Sequence, residues 1–253
     1  YLYKQGKWDV FVANYKRSKS KQMQCRYNWA EYQRNYKTKA LTATQKIWLT
    51  GSSLPKDCDR LLEKFTQSSF LTQKLIWQRF MLAVKGRQYS LATYLSKKLT
   101  NAQTRKNSEA WLRLVKKPEL IYKTDFFQGL SNSGQAEMVV YAMKKLIPAD
   151  VEHAMGLWGA QKSSFDLTDT QINKIQRAIA LQLAFNKSAQ AYAHFGQLNQ
   201  LDATTRIWAV RAALSEQNWT HVQQALDKLT VNEKAKERWR YWQAKAFFTE
   251  RST

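Results

Sequence analysis

The side chains of this 253-residue chain best suited to chemistry are two cysteines, three histidines, the acids and ten tryptophans. Cys25 and Cys58 fit no C-x-x-C redox or metal pattern, and no second pair exists to complete a zinc site, so no metal is expected. Two reduced thiols acting as small apolar residues and one disulfide in an oxidising compartment are both open on count alone. His153, His194 and His221 stand far apart, and none lies in an H-E-x-x-H or triad-like context. They read as ordinary surface or groove residues. Eight scattered glycines form neither a G-x-G-x-x-G turn nor a G-x-x-x-x-G-K-[ST] loop, so nothing cradles a phosphate and no cofactor is expected.

Glycoside cleavage needs a carboxyl group held protonated in an apolar cleft, commonly with a second carboxylate nearby. Glu109 beside Trp111 is the nearest approach, but on a helix the two point to different faces, and a solvated glutamate is expected. No catalytic residue is assigned. Tryptophan faces can stack on a pyranose or a base. Trp29, Trp48, Trp239 and Trp242 nevertheless fall on apolar stripes, where packing explains them.

The elements that would carry these residues are helical. Apolar side chains recur at helical spacing in Cys25, Trp29, Tyr32 and Tyr36, in Leu91, Leu95 and Leu99, and in Ile172, Ile175, Ile179 and Leu183. Near the end, Trp219, Val222, Leu226 and Leu229 form one stripe and Ala235, Trp239, Trp242 and Ala246 the next, which predicts an antiparallel hairpin. Between Leu71 and Val84, the set Ile76, Phe80 and Ala83 runs beside Trp77, Met81 and Val84. So wide an arc predicts a helix covered on two sides, as inside a stacked solenoid. Weak self-similarity links Gly6-Lys7-Trp8, Gly86-Arg87-Gln88-Tyr89 and Gln217-Asn218-Trp219, each with an aromatic opening a helix. The expected fold is all-α, a superhelix (α-solenoid) of stacked, irregular tetratricopeptide-like hairpins.

Breaks are predicted at Thr50 to Pro55, Lys117-Pro118, Asn132-Ser133-Gly134, Ile147 to Asp150 and Ser163 to Asp169. Thr168 with Gln171 has capping-box spacing. No break is long enough for an interdomain linker, so residues 1–253 are expected to form one superhelical domain. The chain opens at Tyr1 and stops at Ser252-Thr253 just after a helical pattern, which reads as a fragment of something longer. No run of eighteen apolar residues occurs, so no membrane-spanning helix is expected. The formal charge is +22 and is polarised: residues 1–125 hold 26 basic against 8 acidic side chains, the remainder 15 against 11. Such charge attracts polyanions without choosing among them, and lysines as scattered as Lys37, Lys39, Lys46 and Lys56 also suit a merely solvated surface.

The stretch Lys46-Ile47-Trp48-Leu49-Thr50-Gly51-Ser52-Ser53-Leu54-Pro55-Lys56-Asp57-Cys58-Asp59-Arg60-Leu61 resembles the signature of the superhelical domain of bacterial soluble lytic transglycosylases. Cys25-Arg26-Tyr27 stands where that family places a partner cysteine, and Glu237-Arg238-Trp239-Arg240-Tyr241-Trp242-Gln243-Ala244 resembles the block that closes the region. Trp48, Gly51, Pro55, Trp239, Tyr241 and Trp242 are the family positions carried over, as structural residues. The resemblance implies a Cys25–Cys58 disulfide and a periplasmic setting. It also implies a ring of hairpins followed by a lysozyme-like domain, absent here, that cuts peptidoglycan with a glutamate in an E-S-x-x-N-P motif and leaves anhydromuramic ends. No such motif occurs in this sequence.

By this resemblance the chain is expected to be a ring wall that guides peptidoglycan, is inactive by itself, and works in cis with a missing C-terminal catalytic domain. No specific nucleic-acid partner is expected. The rivals are a tetratricopeptide-like adaptor that binds protein in its groove and a basic helical RNA binder, which lacks a regular pair of base-reading positions per repeat.

Overall fold

The computed structural model describes residues 1–123, 125–130 and 132–250, and every regular element among them is helical. The chain end at Ser252-Thr253 lies outside the described residues. Two compact units divide at Lys116 and Lys117. The first contains α1 (Trp8–Ala13), α2 (Lys21–Gln33), α3 (Lys37–Trp48), α4 (Asp59–Thr66), α5 (Gln73–Lys85), α6 (Tyr89–Ser96) and α7 (Ala102–Lys116). The second contains α8 (Asn132–Ala149), α9 (Val151–Gln161), α10 (Asp169–Phe185), α11 (Ala191–Gly196), α12 (Ala203–Ser215), α13 (Trp219–Asp227), α14 (Val231–Lys234) and α15 (Glu237–Glu250). The fold is all-α, and its helices pack mainly on their sequence neighbours, as stacked hairpins require.

Four of these hairpins reverse direction through the same backbone device. Two residues past the end of α2, α5, α10 and α12 stand Asn35, Arg87, Lys187 and Gln217, all with left-handed φ between 56° and 69°. In three of them the next residue's N–H returns to the helix, Tyr36 to Glu31 O at 3.0 Å, Gln88 to Ala83 O at 2.8 Å and Ser188 to Leu183 O at 2.9 Å. These bonds satisfy carbonyls that the helix end leaves open. The similar segments of the sequence mark this turn at Arg87 and Gln217, with Gly6 (φ 70°) placed the same way before α1. In the second segment the left-handed residue is Arg87 rather than the glycine before it.

Helix α5 buries Ile76, Arg79, Phe80, Met81, Ala83 and Val84, an arc that packs on α6 and α7 and on the connection from α3. Thr168 and Gln171 form a capping box at the start of α10. Three expectations need correction, the first being the break at Asn132-Ser133-Gly134: these residues are helical and open α8. Tyr36 does not continue the α2 stripe: it is the N-cap of α3 and is exposed, because the chain turns at Asn35. The break predicted over Ile147 to Asp150 falls at its last residue: Pro148 lies inside the last turn of α8, and Asp150 caps α9, its Oδ1 accepting from the His153 N–H at 3.0 Å. A further short helix, α14, separates the last two stripes, closed at its start by a second capping box from Thr230 and Glu233.

Candidate functional site

The loop from Thr50 to Pro55 leads into a 3₁₀ turn, Lys56–Cys58, that carries Cys58 into the first unit's interior. Cys25 reaches the same point from the buried face of α2, and the two are joined by a disulfide with a Cα–Cα distance of 5.0 Å. Adjacent packed helices readily provide that separation. Both cysteines are fully buried among Trp29, Ile47 and Leu61, with Tyr3, Trp8 and Leu54 packed against the cluster.

Asp57, next to Cys58, is held from two sides. Gln22 Nε2 donates to its Oδ2 at 2.7 Å and Arg26 Nε to its Oδ1 at 2.6 Å, and these bonds keep its carboxyl below the usual carboxylate range. Over this anchor opens a cleft of about 670 Å³ whose walls include Tyr3, Trp8, Lys4, Lys56 and Arg60. The Arg26 guanidinium lies 5.5 Å from the Tyr3 ring centre. Beyond the Arg26–Asp57 pair, three further cations, Lys4, Lys56 and Arg60, stand beside two aromatic rings. Such a wall can hold an anionic, partly apolar polymer by charge and ring contact. It cannot serve as a general acid, because its acid is held ionised.

The signature residues converge on one contact within the same unit. The indole of Trp48 is 5% exposed, and the Arg79 guanidinium from α5 lies 4.0 Å from its ring centre. Arg79 Nη2 donates to the Ser52 carbonyl at 3.3 Å. Gly51 sits so close to α5 that a Cβ there would fall 2.5 Å from the Leu82 carbonyl oxygen. Pro55 is exposed and precedes the 3₁₀ turn with φ −59°. Together these residues seat the α3–α4 connection on α5. Beside them lies a second cleft of about 350 Å³, between α4, α5 and α6. Sequence reasoning passes over Arg79, although a charge one turn from both Ile76 and Ala83, on a face otherwise apolar, is a signal that could find it.

In the second unit, Trp239 is 2% exposed, as its stripe requires, whereas Tyr241 is exposed and Trp242 is half-buried. Trp242 faces Trp219 with ring centres 6.4 Å apart, and the Lys245 ammonium lies within 5.5 Å of both rings. The histidines lie on different helices: His153 is exposed on α9, His194 is half-buried on α11, and His221 on α13 stacks on Tyr192 and lies 3.0 Å from Glu216 Oε2. Glu109 is exposed and Trp111 buried.

The carboxyls whose proton affinity is displaced are all displaced downward. Burial pushes Glu31 up, but bonds from the Tyr27 hydroxyl at 2.7 Å and Lys39 Nζ at 3.1 Å outweigh it. Glu233 is pulled down to about 2 by the Arg206 guanidinium, which donates to both its oxygens at 2.9 and 3.0 Å. Asp202 is likewise lowered; burial raises it, and the bond from Arg177 prevails. Among the described residues, no group of three or more His, Cys, Asp or Glu could hold a metal ion, and no helix is long and apolar enough to cross a membrane.

Over 224 residues, 87% of its length, the chain is 25% identical to soluble lytic murein transglycosylase of Escherichia coli K12, and equally so to that of Salmonella typhimurium. An inactive mutant of the lytic transglycosylase Slt from Pseudomonas aeruginosa superposes over 97% of the chain with a TM-score of 0.72 and 26% identity. This chain is similar to the soluble lytic murein transglycosylases. It spans 34% of the length of those curated transglycosylases and 40% of the Pseudomonas structure. The 70-kDa soluble lytic transglycosylase in complex with bulgecin A shares the fold, with a TM-score of 0.77, 23% identity and coverage of 98% of this chain and 41% of that one. A family profile described as Cucumovirus coat protein matches residues 30–128, less than half of the chain. That stretch includes α3 to α7, which the transglycosylase structures cover as part of nearly the whole chain.

Proposed function

We propose that this chain is the superhelical ring wall of a periplasmic lytic transglycosylase, one domain that guides peptidoglycan glycan strands toward a catalytic domain carried elsewhere in the same protein. The parent cleaves those strands with formation of anhydromuramic ends; this part binds and directs them. The observation that carries the reading is coverage: a transglycosylase structure matches 97% of this chain with only 40% of its own length. The rest of the relative is where the cutting chemistry belongs in this reading. Physical support comes from the cleft over the disulfide. Peptidoglycan presents sugar faces and stem-peptide carboxylates together, and Tyr3 and Trp8 beside Lys4, Lys56 and Arg60 suit both.

Co-sedimentation with purified sacculi across ionic strength tests the proposal. Binding should weaken steadily as salt screens the exposed charges. Reversing charge with K56E and R60E, two exposed positions, should remove most of the binding without unfolding the protein. Binding indifferent to salt and to both substitutions, or RNA bound at physiological salt far more tightly than sacculi, would overturn it.

A further inference from the structure

The second cleft of the first unit holds charges of opposite sign that do not meet. Arg79 is 4% exposed and makes one hydrogen bond, to Ser52 O; its Nε has no acceptor. Among the described residues no carboxylate lies within ion-pairing distance of it. Trp48, under its guanidinium, also has a buried indole N–H with no acceptor. Two side chains more than nine-tenths buried, each with one fully buried nitrogen that has no acceptor, thus line the same cleft. Burial lowers the Arg79 pKa to about 10, which still leaves it charged at neutral pH. A buried cation without a counter-charge costs stability unless something supplies one.

On the α4 side of the same cleft stand two exposed carboxylates, Asp59 and Glu63, the latter 3.9 Å from its half-buried neighbour Lys64. A simple anion entering toward Arg79 meets these two negative charges, and a simple cation meets Arg79. A group with a carboxylate and an ammonium on one carbon satisfies both walls. The Arg79 guanidinium, 4.0 Å from the Trp48 ring centre, is a planar group of the kind whose paired donors match a carboxylate. Leu54, Leu91 and Tyr94 add an apolar wall for the rest of the ligand, and about 350 Å³ accommodates a small one.

We propose that the cleft between α4, α5 and α6 binds an amino-acid head group, with its carboxylate on Arg79 and its ammonium toward Asp59 and Glu63. The chemistry is shared by free amino acids and by the free end of a diamino dicarboxylic acid within a wall peptide. The site does not rest on the transglycosylase reading, and loss of sacculus binding would leave it standing.

Calorimetric titration of the whole chain with D-alanine, meso-diaminopimelate, acetate and methylamine tests it. Both zwitterions should bind at least about tenfold more tightly than acetate or methylamine, since each single-charge probe forgoes one charged hydrogen bond. Because R79M removes a buried side chain and can unfold the protein, the deciding variants are D59N and E63Q at exposed positions. Together they should lower zwitterion affinity about tenfold and leave acetate binding equal or stronger. A tripeptide ending in diaminopimelate separates the sources: binding equal to the free amino acid supports a wall-peptide ligand, and binding of the free amino acid alone supports a small metabolite. No zwitterion binding at tens of millimolar, acetate binding as tight as D-alanine, or affinity unmoved by D59N with E63Q would overturn the proposal.

Discussion

The disulfide end of the first unit and the run of hairpins from α10 to α15 in the second use similar helices but hold them by different means. Around Cys25 and Cys58 the contacts are long in sequence and chemically specialised: a covalent bond between residues 33 apart, an Arg26–Asp57 pair beside it, a glycine pressed on the α5 backbone and a guanidinium on an indole. In the second unit, capping boxes at Thr168 and Thr230, apolar stripes and the Arg206–Glu233 fork hold the hairpins. The first arrangement fails when one irreplaceable atom is changed. The second distributes its stability, so single changes there should matter less.

The largest effect separating the two should come from the disulfide. Reduction, or C25A with C58A, is expected to destabilise the first unit by about 3 to 4 kcal/mol on the loop-entropy account, seen as a lower melting temperature and earlier hydrogen exchange in α2 to α4. Next is G51A. A Cβ 2.5 Å from the Leu82 carbonyl forces backbone apart, and a loss of at least about 2 kcal/mol in urea unfolding is expected. An unchanged midpoint would mean that the α3–α4 connection is not seated on α5.

In the second unit, R206M should cost about 2 kcal/mol at pH 7, since it leaves the largely buried Glu233 carboxylate unpaired. The pH dependence has a definite sign. Glu233 has an ordinary value of 4.5 and a folded value of about 2, so its contribution is complete above 4.5 and is lost as pH falls toward 2. The melting-temperature gap between the parent protein and R206M should therefore narrow across that window. The smallest effect is expected from T168A, about 1 kcal/mol from one exposed capping box. Were it to rival disulfide loss, the contrast between the two regions would collapse.

The same contrast explains what the sequence makes legible. Helices, the Thr168 capping box and the wide arc of α5 are local patterns, and they appear where periodicity and spacing put them. The turn device at Arg87 and Gln217 leaves only a faint echo, because left-handed φ is a backbone property that glutamine and arginine do not announce. Tyr36 falls off its predicted stripe because Asn35 reverses the chain one residue before the apolar periodicity stops. The short helix α14 is signalled by Thr230 and Glu233, yet four residues carry too little periodicity to register. Arg79 meets Ser52 across 27 residues, and the basic cleft gathers residues 3 to 8 with 56 to 60. No local pattern encodes such meetings; the pairing of Cys25 with Cys58 comes from family resemblance rather than spacing.

Holding peptidoglycan without cutting it is the role proposed for this chain. The displaced carboxyls Glu31, Asp57, Asp202 and Glu233 all favour ionisation, the opposite of what a general acid requires. Incubating the protein with purified sacculi at low salt, then analysing pellet and supernatant together, tests both halves. The expected result is protein in the pellet and, by mass spectrometry, no anhydromuropeptides released. Anhydro products in the supernatant, abolished by replacing any one acid of this chain, would contradict it.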